Sequence, residues 1–364
     1  MGKFLILILL IAAAAGGWLW YCVNYPYSGF GSEGVFVDVP HGASSRGVAR
    51  LLERKGVVRN ALAFEFYARR HPKRSLQAGE YFFDRATSSH DVFWKLANGQ
   101  VFEQPFTVRE GETIFDIARD LEAANFMPAN DFLRATKDAA SIQDLAPHAV
   151  TLEGFLFPAT YHLSRHPSAE ALTAEMVKKF REEWSTVTAS EATGAATDTS
   201  SAAGGTNEAD ATALSSTGLA SVRPIAAVVT LASLVERETP KAEERPLVAG
   251  VFENRLHKAM PLQCDPTVIY ALEQRGAYKG TLTLADLRLE SPYNSYTHTG
   301  LPPGPIGNPG EASLRAAYQP AKTNYLYFVA NTQGGHFFSS TLAEHNENVI
   351  KYRRLLAGEQ AGTR

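Results

Sequence analysis

The sequence predicts an α+β protein with an N-terminal transmembrane helix, a first domain of strand–helix units and a mixed α+β second domain. Three features predict this. The chain opens on an uninterrupted apolar segment, one strand–turn–helix pattern occurs twice, and the later part alternates helical apolar periodicity with loops rich in proline and glycine. A length of 364 residues favours two domains. We expect an anchor at 1–24, the first domain at 33–150 and the second at 151–355.

The N-terminal segment has the length and composition of a single membrane span. Residues 4–23 carry no charge, and about 20 apolar residues suffice to cross a bilayer. Trp18 and Trp20 suit the far interface, and Lys3 places the start of the chain in the cytoplasm. A signal peptide cleaved near the small residues 12–15 is the alternative. Because the apolar run continues through Trp20, we favour an anchor with everything beyond about residue 24 outside the cytoplasm.

Charge, cysteines and motifs narrow the function classes. A net charge of −3 gives no reason to expect a nucleic-acid partner, since phosphate binding depends on clustered lysine and arginine. Cys22 and Cys264 are too few for a disulfide scaffold, and we expect no structural disulfide. No metal-binding or nucleotide-binding motif occurs, so we predict neither a metal site nor any other cofactor.

A six-residue pattern occurs twice with identical spacing. Each copy follows a short strand, places a glycine in a turn, puts Ser44 or Thr113 at a helix N-cap and continues with apolar residues at helical spacing. The copies read Val39, Gly42, Ser44, Val48, Ala49, Leu52 and Val108, Gly111, Thr113, Ile117, Ala118, Leu121. This βα pattern resembles the LysM module, which binds polymers of N-acetylglucosamine. A repeat that only builds a core is the alternative.

Residues 186–221 are almost all serine, threonine, alanine and glycine with scattered acidic residues. They hold too few large apolar side chains to offset the entropy of ordering. The composition predicts a mobile surface insertion between a helix at 169–184 and a helix that follows Pro224.

The helix after Pro224 carries a candidate acid. Its apolar residues fall on one face at helical spacing, and Glu236 continues that face. Burial disfavours the charged form of a carboxyl, so its pKa would rise toward the value that a general acid needs. The alternative is that the helix frays and Glu236 reaches solvent, as Glu238, Glu243 and Glu244 follow closely.

Several segments carry unusual residue combinations. They lie at 152–161, 231–238, 252–256, 262–267, 291–296 and 300–310. Together they resemble the endolytic murein transglycosylases of the MltG (YceG-like) family, and the resemblance covers nearly the whole chain. Ala159 departs from the family pattern, which has aspartate there, so no role for that aspartate is carried over.

The resemblance implies an activity and a place of action. Glu236 would be the catalytic acid/base of a lyase that cuts peptidoglycan between N-acetylmuramic acid and N-acetylglucosamine without water, leaving a 1,6-anhydro end. It would act on nascent strands and limit their length. The implied location is the bacterial inner membrane, with the catalytic domain in the periplasm. Peptidoglycan strands and the membrane are the expected partners, with peptidoglycan synthases as a further one.

The same motifs supply candidate substrate-binding residues: Glu153, Asn254, Gln263, Asp265, Thr267, Tyr293 and Asn294. Aromatic and amide groups such as Tyr293, Asn294 and Gln263 suit sugars. Glu153 and Asp265 also have structural interpretations, as an acidic turn residue and a cap before Pro266. Two rival functions stay open: a hydrolase that adds a second carboxylate, and a non-catalytic glycan-binding scaffold of the wall-synthesis machinery.

Overall fold

The structure is a computed structural model that describes residues 2–197 and 223–362. It is α+β, as the sequence predicts, and falls into two compact units. The first comprises Met1–Pro105 with His162–His166, and the second Phe106–Tyr161 with Pro167–Arg364. The chain therefore divides near residue 105 and not near 150, which puts the second copy of the repeat in the second unit. The assignment of the units as LysM-like and catalytic stays a prediction.

The apolar N-terminal segment forms α1, Gly2–Asn24. Its span Lys3–Asn24 has a mean hydropathy of 2.2 and is long and apolar enough to cross a membrane. Only its last turn is buried. Cys22 and Val23 pack against Ala63, and the hydroxyl of Ser89 donates to the Cys22 carbonyl at 3.0 Å. The end of α1 is thus fixed to the first unit.

The first unit is an antiparallel strand pair covered by helices. Its elements are β1 Val35–Val39, α2 Ser45–Arg54, α3 Ala61–Arg69, β2 Gly79–Phe83 and α4 Ser89–Ala97. Val37 pairs with Tyr81, and alternate side chains of both strands enter one core with the helices. The Ser44 hydroxyl caps α2 by accepting from the Gly47 N–H, which confirms the predicted N-cap.

The second copy of the repeat forms the same local structure. Its elements are β3 Gln104–Thr107, α5 Ile114–Ala123 and α6 Ala129–Ala135, and β3 pairs with β4 Thr160–Leu163. Thr113 and Asp116 form a capping box at the start of α5. The predicted repetition of a strand and a capped helix is confirmed, whereas glycan binding by either copy stays a prediction.

Helices dominate the rest of the second unit. They are α7 Ala169–Thr197, α8 Ile225–Glu238, α9 Arg245–His257, α10 Asp265–Glu273, α11 Glu311–Tyr318 and α12 Leu342–Gly362, with the hairpin β5 Tyr327–Ala330 and β6 His336–Ser339 and 3-10 turns at Ala139–Ile142, Ala242–Glu244 and Asp286–Arg288. The sequence predicts one apolar face on α8, but its residues 228–235 are buried on all sides. Such a helix lies inside a core and not on its surface.

The prediction for residues 186–221 needs correction at its start. The structure continues α7 through residue 197, and Val187 is fully buried. A buried anchor of this kind extends a helix beyond the point where composition alone suggests a loop, because tertiary packing supplies most of a helix's stability. Residues 198–221 lie outside the described residues.

One buried side chain connects three separate segments of the second unit. Asn308 is fully buried, and its Oδ1 accepts from the N–H groups of Gly154 and Leu156 at 2.9 and 3.0 Å. Its Nδ2 donates to the Glu112 carbonyl and to Glu153 Oε1 at 2.9 and 3.0 Å. The amide of Asn308 therefore joins the turn before α5, the segment after residue 150 and its own loop, residues 300–310, which is rich in proline and glycine and is called the Pro/Gly loop below.

Replacing Asn308 should destabilise the second unit strongly. Asn308→Ala leaves the buried N–H groups of Gly154 and Leu156 without partners and removes a hydrogen bond to Glu153, which should lower the free energy of unfolding by about 3–4 kcal/mol. Urea unfolding followed by circular dichroism measures the change. Asn346→Ala, at an exposed position of α12, is the control and should change stability by less than about 0.5 kcal/mol. Similar values for the two variants would contradict the role given to Asn308.

Candidate active site

Two glutamates at the end of α8 lie in different surroundings. Glu236 and Glu238 are two residues apart, and a helix turns about 100° per residue. Their side chains therefore leave α8 in nearly opposite directions. Each carboxyl therefore faces different elements of the second unit.

Glu236 is enclosed and fully bonded, with 4% of its side chain exposed. Arg245 Nη2 donates to its Oε1 at 2.7 Å, and the Gly310 N–H donates to its Oε2 at 2.9 Å. The same Arg245 nitrogen contacts Glu110 at 3.3 Å. Burial raises the pKa of Glu236, while the Gly310 N–H and the charge of Arg245 act against that rise. The predicted burial is confirmed, and the carboxylate fastens α8 to α9 and the Pro/Gly loop.

Glu238 lines a cavity of about 310 Å³ with polar walls. The lining residues come from α8, α9, the segment 262–265, the loop at 296, the C-terminal hairpin and α12: Glu238, Arg255, Leu262, Gln263, Asp265, Tyr296, Phe328 and His345. The cavity thus places a carboxyl next to an amide, a phenol, an imidazole and a second carboxylate. These are the side chains that hydrogen-bond to hydroxyl and acetamido groups.

Burial raises the pKa of Glu238, and the negative charge of Asp265 raises it further. The Cys264 thiol, which hydrogen-bonds to Glu238, and the positive charges of His336 and Arg255 oppose the rise. A carboxyl with a raised pKa stays protonated closer to neutrality, and it can then donate a proton to a bound ligand.

The chain builds one wall of the cavity through a strained turn. Gln263 has a φ of +52°, a left-handed conformation that few residues other than glycine adopt. Its N–H donates to the Ser295 carbonyl at 3.1 Å, and Arg255 Nη1 donates to the Leu262 carbonyl at 2.9 Å. These contacts hold the turn with the Gln263 side chain exposed. Strain of this kind is common at binding sites.

Asp265 lies at the start of α10 but not at the cap position that the sequence predicts for it. Cys264 occupies the N-cap of α10, and Asp265 is the first residue of the helix. The Tyr296 hydroxyl donates to Asp265 Oδ1 at 2.5 Å. The Asp265 side chain is exposed and faces the cavity. It is therefore placed to contact a ligand.

His345 contributes an imidazole to the same cavity. Its ring stacks on Tyr327, with the centroids 5.3 Å apart. Within the described residues, its buried Nδ1 has no hydrogen-bond partner. Burial and the charge of Arg255 lower the pKa of His345, which favours the neutral ring. A neutral imidazole can donate or accept a hydrogen bond, depending on its tautomer.

The structure divides the seven predicted substrate-binding residues. Gln263 and Asp265 share the cavity of Glu238, but Tyr293 lines a separate apolar cavity of about 390 Å³. Asn254 donates from Nδ2 to the carbonyls of Thr323 and Tyr325, which fixes the segment between α11 and β5.

Thr267 and Asn294 are fully buried and have structural partners. The Thr267 hydroxyl donates to the Cys264 carbonyl at 2.7 Å. Asn294 donates from Nδ2 to the carbonyls of Leu287 and Leu289. Both residues shape the loops that carry Gln263 and Tyr296, and their side chains do not line the cavity.

Glu153 is buried, 2% exposed, although its segment looks like an acidic turn, and it lines the same cavity as Tyr293. It accepts from the Ile114 N–H at the start of α5 and from Asn308 Nδ2. Burial raises the pKa of Glu153 to about 8, against the opposing Ile114 N–H and the hydrogen bond of Tyr270. The protonated carboxyl can keep all three partners.

Local sequence pattern does not select Glu238, Tyr296 or His345. Glu238 and Tyr296 lie within the segments 231–238 and 291–296, but apolar spacing favours Glu236, which continues the helical face. His345 lies outside the motif segments. The missing information is which side chains converge from distant parts of the chain. Among the described residues, no cluster of three or more His, Cys, Asp or Glu is arranged to hold a metal ion.

A carboxyl with a raised pKa in an open polar cavity defines a site for general acid–base chemistry on a polar ligand. The chain belongs to the YceG-like family, whose model matches residues 37–351. An endolytic murein transglycosylase of Bacillus subtilis is 33% identical over 87% of this chain and 84% of its own length. A second, from Streptococcus pneumoniae, is 29% identical over 95% of this chain, which spans 64% of that relative.

A solved structure agrees with this assignment. The crystal structure of a YceG-like protein from Listeria monocytogenes has 33% sequence identity and a TM-score of 0.50, and the match covers 87% of this chain and 99% of the other.

The buried carboxyl of Glu153 predicts a pH dependence of stability. Because its folded-state pKa lies at about 8 and its ordinary value at 4.5, the folded state binds the proton more tightly. Stability should therefore fall as pH rises between these values, by at most about 1.4 kcal/mol per pH unit.

Glu153→Gln imitates the protonated carboxyl and should remove that slope, so the variant should equal or exceed the wild type in stability at pH 8. Urea unfolding at several pH values tests this, with activity measured in parallel. A variant of unchanged stability that has lost activity would instead support the predicted substrate-binding role.

Proposed function

We propose that the chain is a membrane-anchored lytic transglycosylase that cuts peptidoglycan strands internally, with Glu238 as its acid/base and with Glu236, the residue that the sequence predicts, as the alternative. The names of the similar proteins support the reaction class and the substrate. The observation that carries the choice of residue is the polar cavity, where Glu238 meets the predicted substrate-binding residues Gln263 and Asp265.

The carboxyls of Glu236 and Glu238 differ in how readily a ligand could reach them. Glu236 is 4% exposed, and N–H groups donate to both of its oxygens. Burial raises the pKa of Glu236 as well, but a ligand that took its proton would have to compete with the hydrogen bonds of Arg245 and Gly310. Glu238 combines a raised pKa with a place on the cavity wall. A general acid needs both properties.

The proposed reaction uses one carboxyl twice. Protonated Glu238 donates its proton to the oxygen between C1 of N-acetylmuramic acid and the next N-acetylglucosamine, and the C1–O bond breaks. The Glu238 carboxylate then takes the proton from the C6 hydroxyl of the muramic sugar. The C6 oxygen bonds to C1, which gives a 1,6-anhydro end and restores the protonated acid without consuming water.

The negative charge of Asp265 has two effects on the proposed reaction. Its charge keeps the pKa of Glu238 raised, which favours the proton donor at the start of the reaction. The same charge favours a developing positive centre at C1, because opposite charges attract. Gln263, Tyr296 and His345 supply hydrogen bonds to the sugars.

Helix α1 is the proposed membrane anchor of the protein. With the N-terminus in the cytoplasm, α1 would span the inner membrane once and leave both units in the periplasm. An enzyme held at the membrane meets strands as they are made, so we propose that it cuts nascent strands and limits their length. Peptidoglycan synthases are the partners that such a position brings close.

A hydrolytic muramidase is the second candidate, and Asp265 is the observation that favours it. Glycosidases that use water ordinarily need two carboxyls at one site. Glu238 and Asp265 line the same cavity, so Asp265 could activate a water molecule in place of the C6 hydroxyl. The end group of the product distinguishes the two reactions.

Substituting each glutamate in turn tests the choice of acid. Glu238→Gln keeps the size and hydrogen bonding of the side chain but removes the transferable proton, so cleavage should slow by at least about 10²–10⁴-fold while the protein stays folded. Glu236→Gln breaks a buried ion pair and should lower the free energy of unfolding by about 3 kcal/mol. Its folded fraction should keep most of its activity.

Mass spectrometry of fragments released from intact glycan strands gives both the rate and the product. Anhydro ends, lighter by one water than reducing ends, support the lytic reaction, whereas reducing ends support the muramidase. An active Glu238→Gln together with a folded but inactive Glu236→Gln would support the original prediction for Glu236. Wild-type protein that binds strands without cutting them would support a non-catalytic scaffold.

Removing the charge of Asp265 should move the pH profile. Asp265→Asn lowers the pKa of Glu238, so the general acid loses its proton at lower pH. The alkaline limb of kcat/KM should shift to lower pH by roughly half a unit or more. Anhydro ends should persist in the products. An unshifted limb would contradict the tuning role, and complete loss of cleavage would point to the muramidase.

A further inference from the structure

Helix α3 exposes two large apolar side chains next to the end of α1. Leu62 is 69% exposed and Phe66 is 48% exposed. They lie four residues apart and therefore share one face of the helix. The opposite side of α3 enters the core of the first unit through Phe64, and Ala63 packs against Cys22 and Val23 of α1. The apolar pair thus continues the surface of the membrane helix.

A groove of about 530 Å³ runs between the last turns of α1 and the exposed face of α3. Its apolar wall includes Leu19, Val23 and Phe66, and Trp20 and Tyr67 add amphipathic rings. Arg70 also lines the groove, and its guanidinium lies over the Phe66 ring, 5.7 Å from the centroid. The groove therefore has an apolar wall and a cationic group, Arg70.

The surrounding segment is strongly basic. Residues 59–74 contain Arg59, Arg69, Arg70, Lys73 and Arg74 against a single acidic residue, Glu65. Glu65 is 6% exposed and already paired with Arg46 and Arg69. Exposed lysines and arginines beside a membrane span attract anionic lipid headgroups.

We propose that α3 lies at the membrane–water interface on the periplasmic face of the inner membrane. We also propose that the groove between α1 and α3 binds a phospholipid. The acyl chain lies along Leu19, Val23 and Phe66, and the anionic headgroup contacts Arg70. The inference rests on the proposed role of α1 as a membrane anchor. Since α1 is packed against α3, the bilayer surface that meets the end of α1 also meets Leu62 and Phe66. Amphipathic helices with apolar and basic residues bind at this depth.

Fluorescence of the full-length protein in phospholipid vesicles tests the position of α3. A polarity-sensitive dye is attached to Leu62→Cys, Phe66→Cys, Leu9→Cys in α1, or Asp38→Cys. Asp38 is exposed on β1 between the core residues Val37 and Val39, so its side chain points away from the helices. The native Cys22 and Cys264 are both buried and free, and the parent protein provides the labelling blank.

Brominated phospholipid should quench the dye at positions 62, 66 and 9, and iodide in the water should quench it at position 38. If the dye is quenched by lipid at position 9 but only by iodide at 62 and 66, the interfacial placement of α3 is wrong and the anchor stands. If lipid quenches at none of these positions, the anchor is wrong and the inference falls with it.

Native mass spectrometry of the full-length protein tests the groove. Wild type should retain phospholipid, and Arg70→Glu should reduce the retained fraction by at least about fivefold, because the charge at the headgroup is reversed. Arg50→Glu, at an exposed position of α2, is the matched control and should retain lipid like the wild type. Equal retention in the two variants would overturn the assignment of Arg70.

Discussion

The second unit depends on one buried pair, Asn308 and Glu153. Neither could be buried alone, because an unpaired amide or carboxyl in a core costs several kcal/mol. Together they satisfy each other and also the turn before α5, the backbone at Gly154 and Leu156, and the first N–H of α5. Gly154 has a φ of +85°, and a Cβ there would overlap Pro305. These buried contacts thus fix the position of the Pro/Gly loop.

That loop in turn fixes the end of α8. Gly310, two residues beyond Asn308, donates to Glu236, and Arg245 closes the other side of the same carboxylate. With Glu236 held in this way, α8 cannot rotate, and Glu238 is presented to the opposite side. Two glutamates of one motif therefore have different roles, since one fastens the helix and the other lines the polar cavity. Environment assigns the roles, because both belong to the same residue type on the same helix.

Much of the architecture was predictable from local pattern. The apolar N-terminal span, the strands at β1 and β2, the caps Ser44 and Thr113 and the start of α8 each depend on residues close together in sequence. The motifs that predict the family depend on local sequence too. Composition could not show the length of α7, whose Val187 is buried in the folded protein, or the burial of Glu153 in a segment that looks like a turn.

Local sequence pattern predicts most of the elements, an apolar N-terminal helix long enough to span a membrane, and the motifs from which a site has to come. Which side chains of those motifs meet depends on contacts between distant segments of the chain. Apolar spacing selects Glu236, because it continues the face of an amphipathic helix, but α8 is buried on all sides and has no solvent face from which to choose. The environment of each glutamate comes from Arg245, Gly310, Asp265 and His345. No local pattern on α8 contains that information.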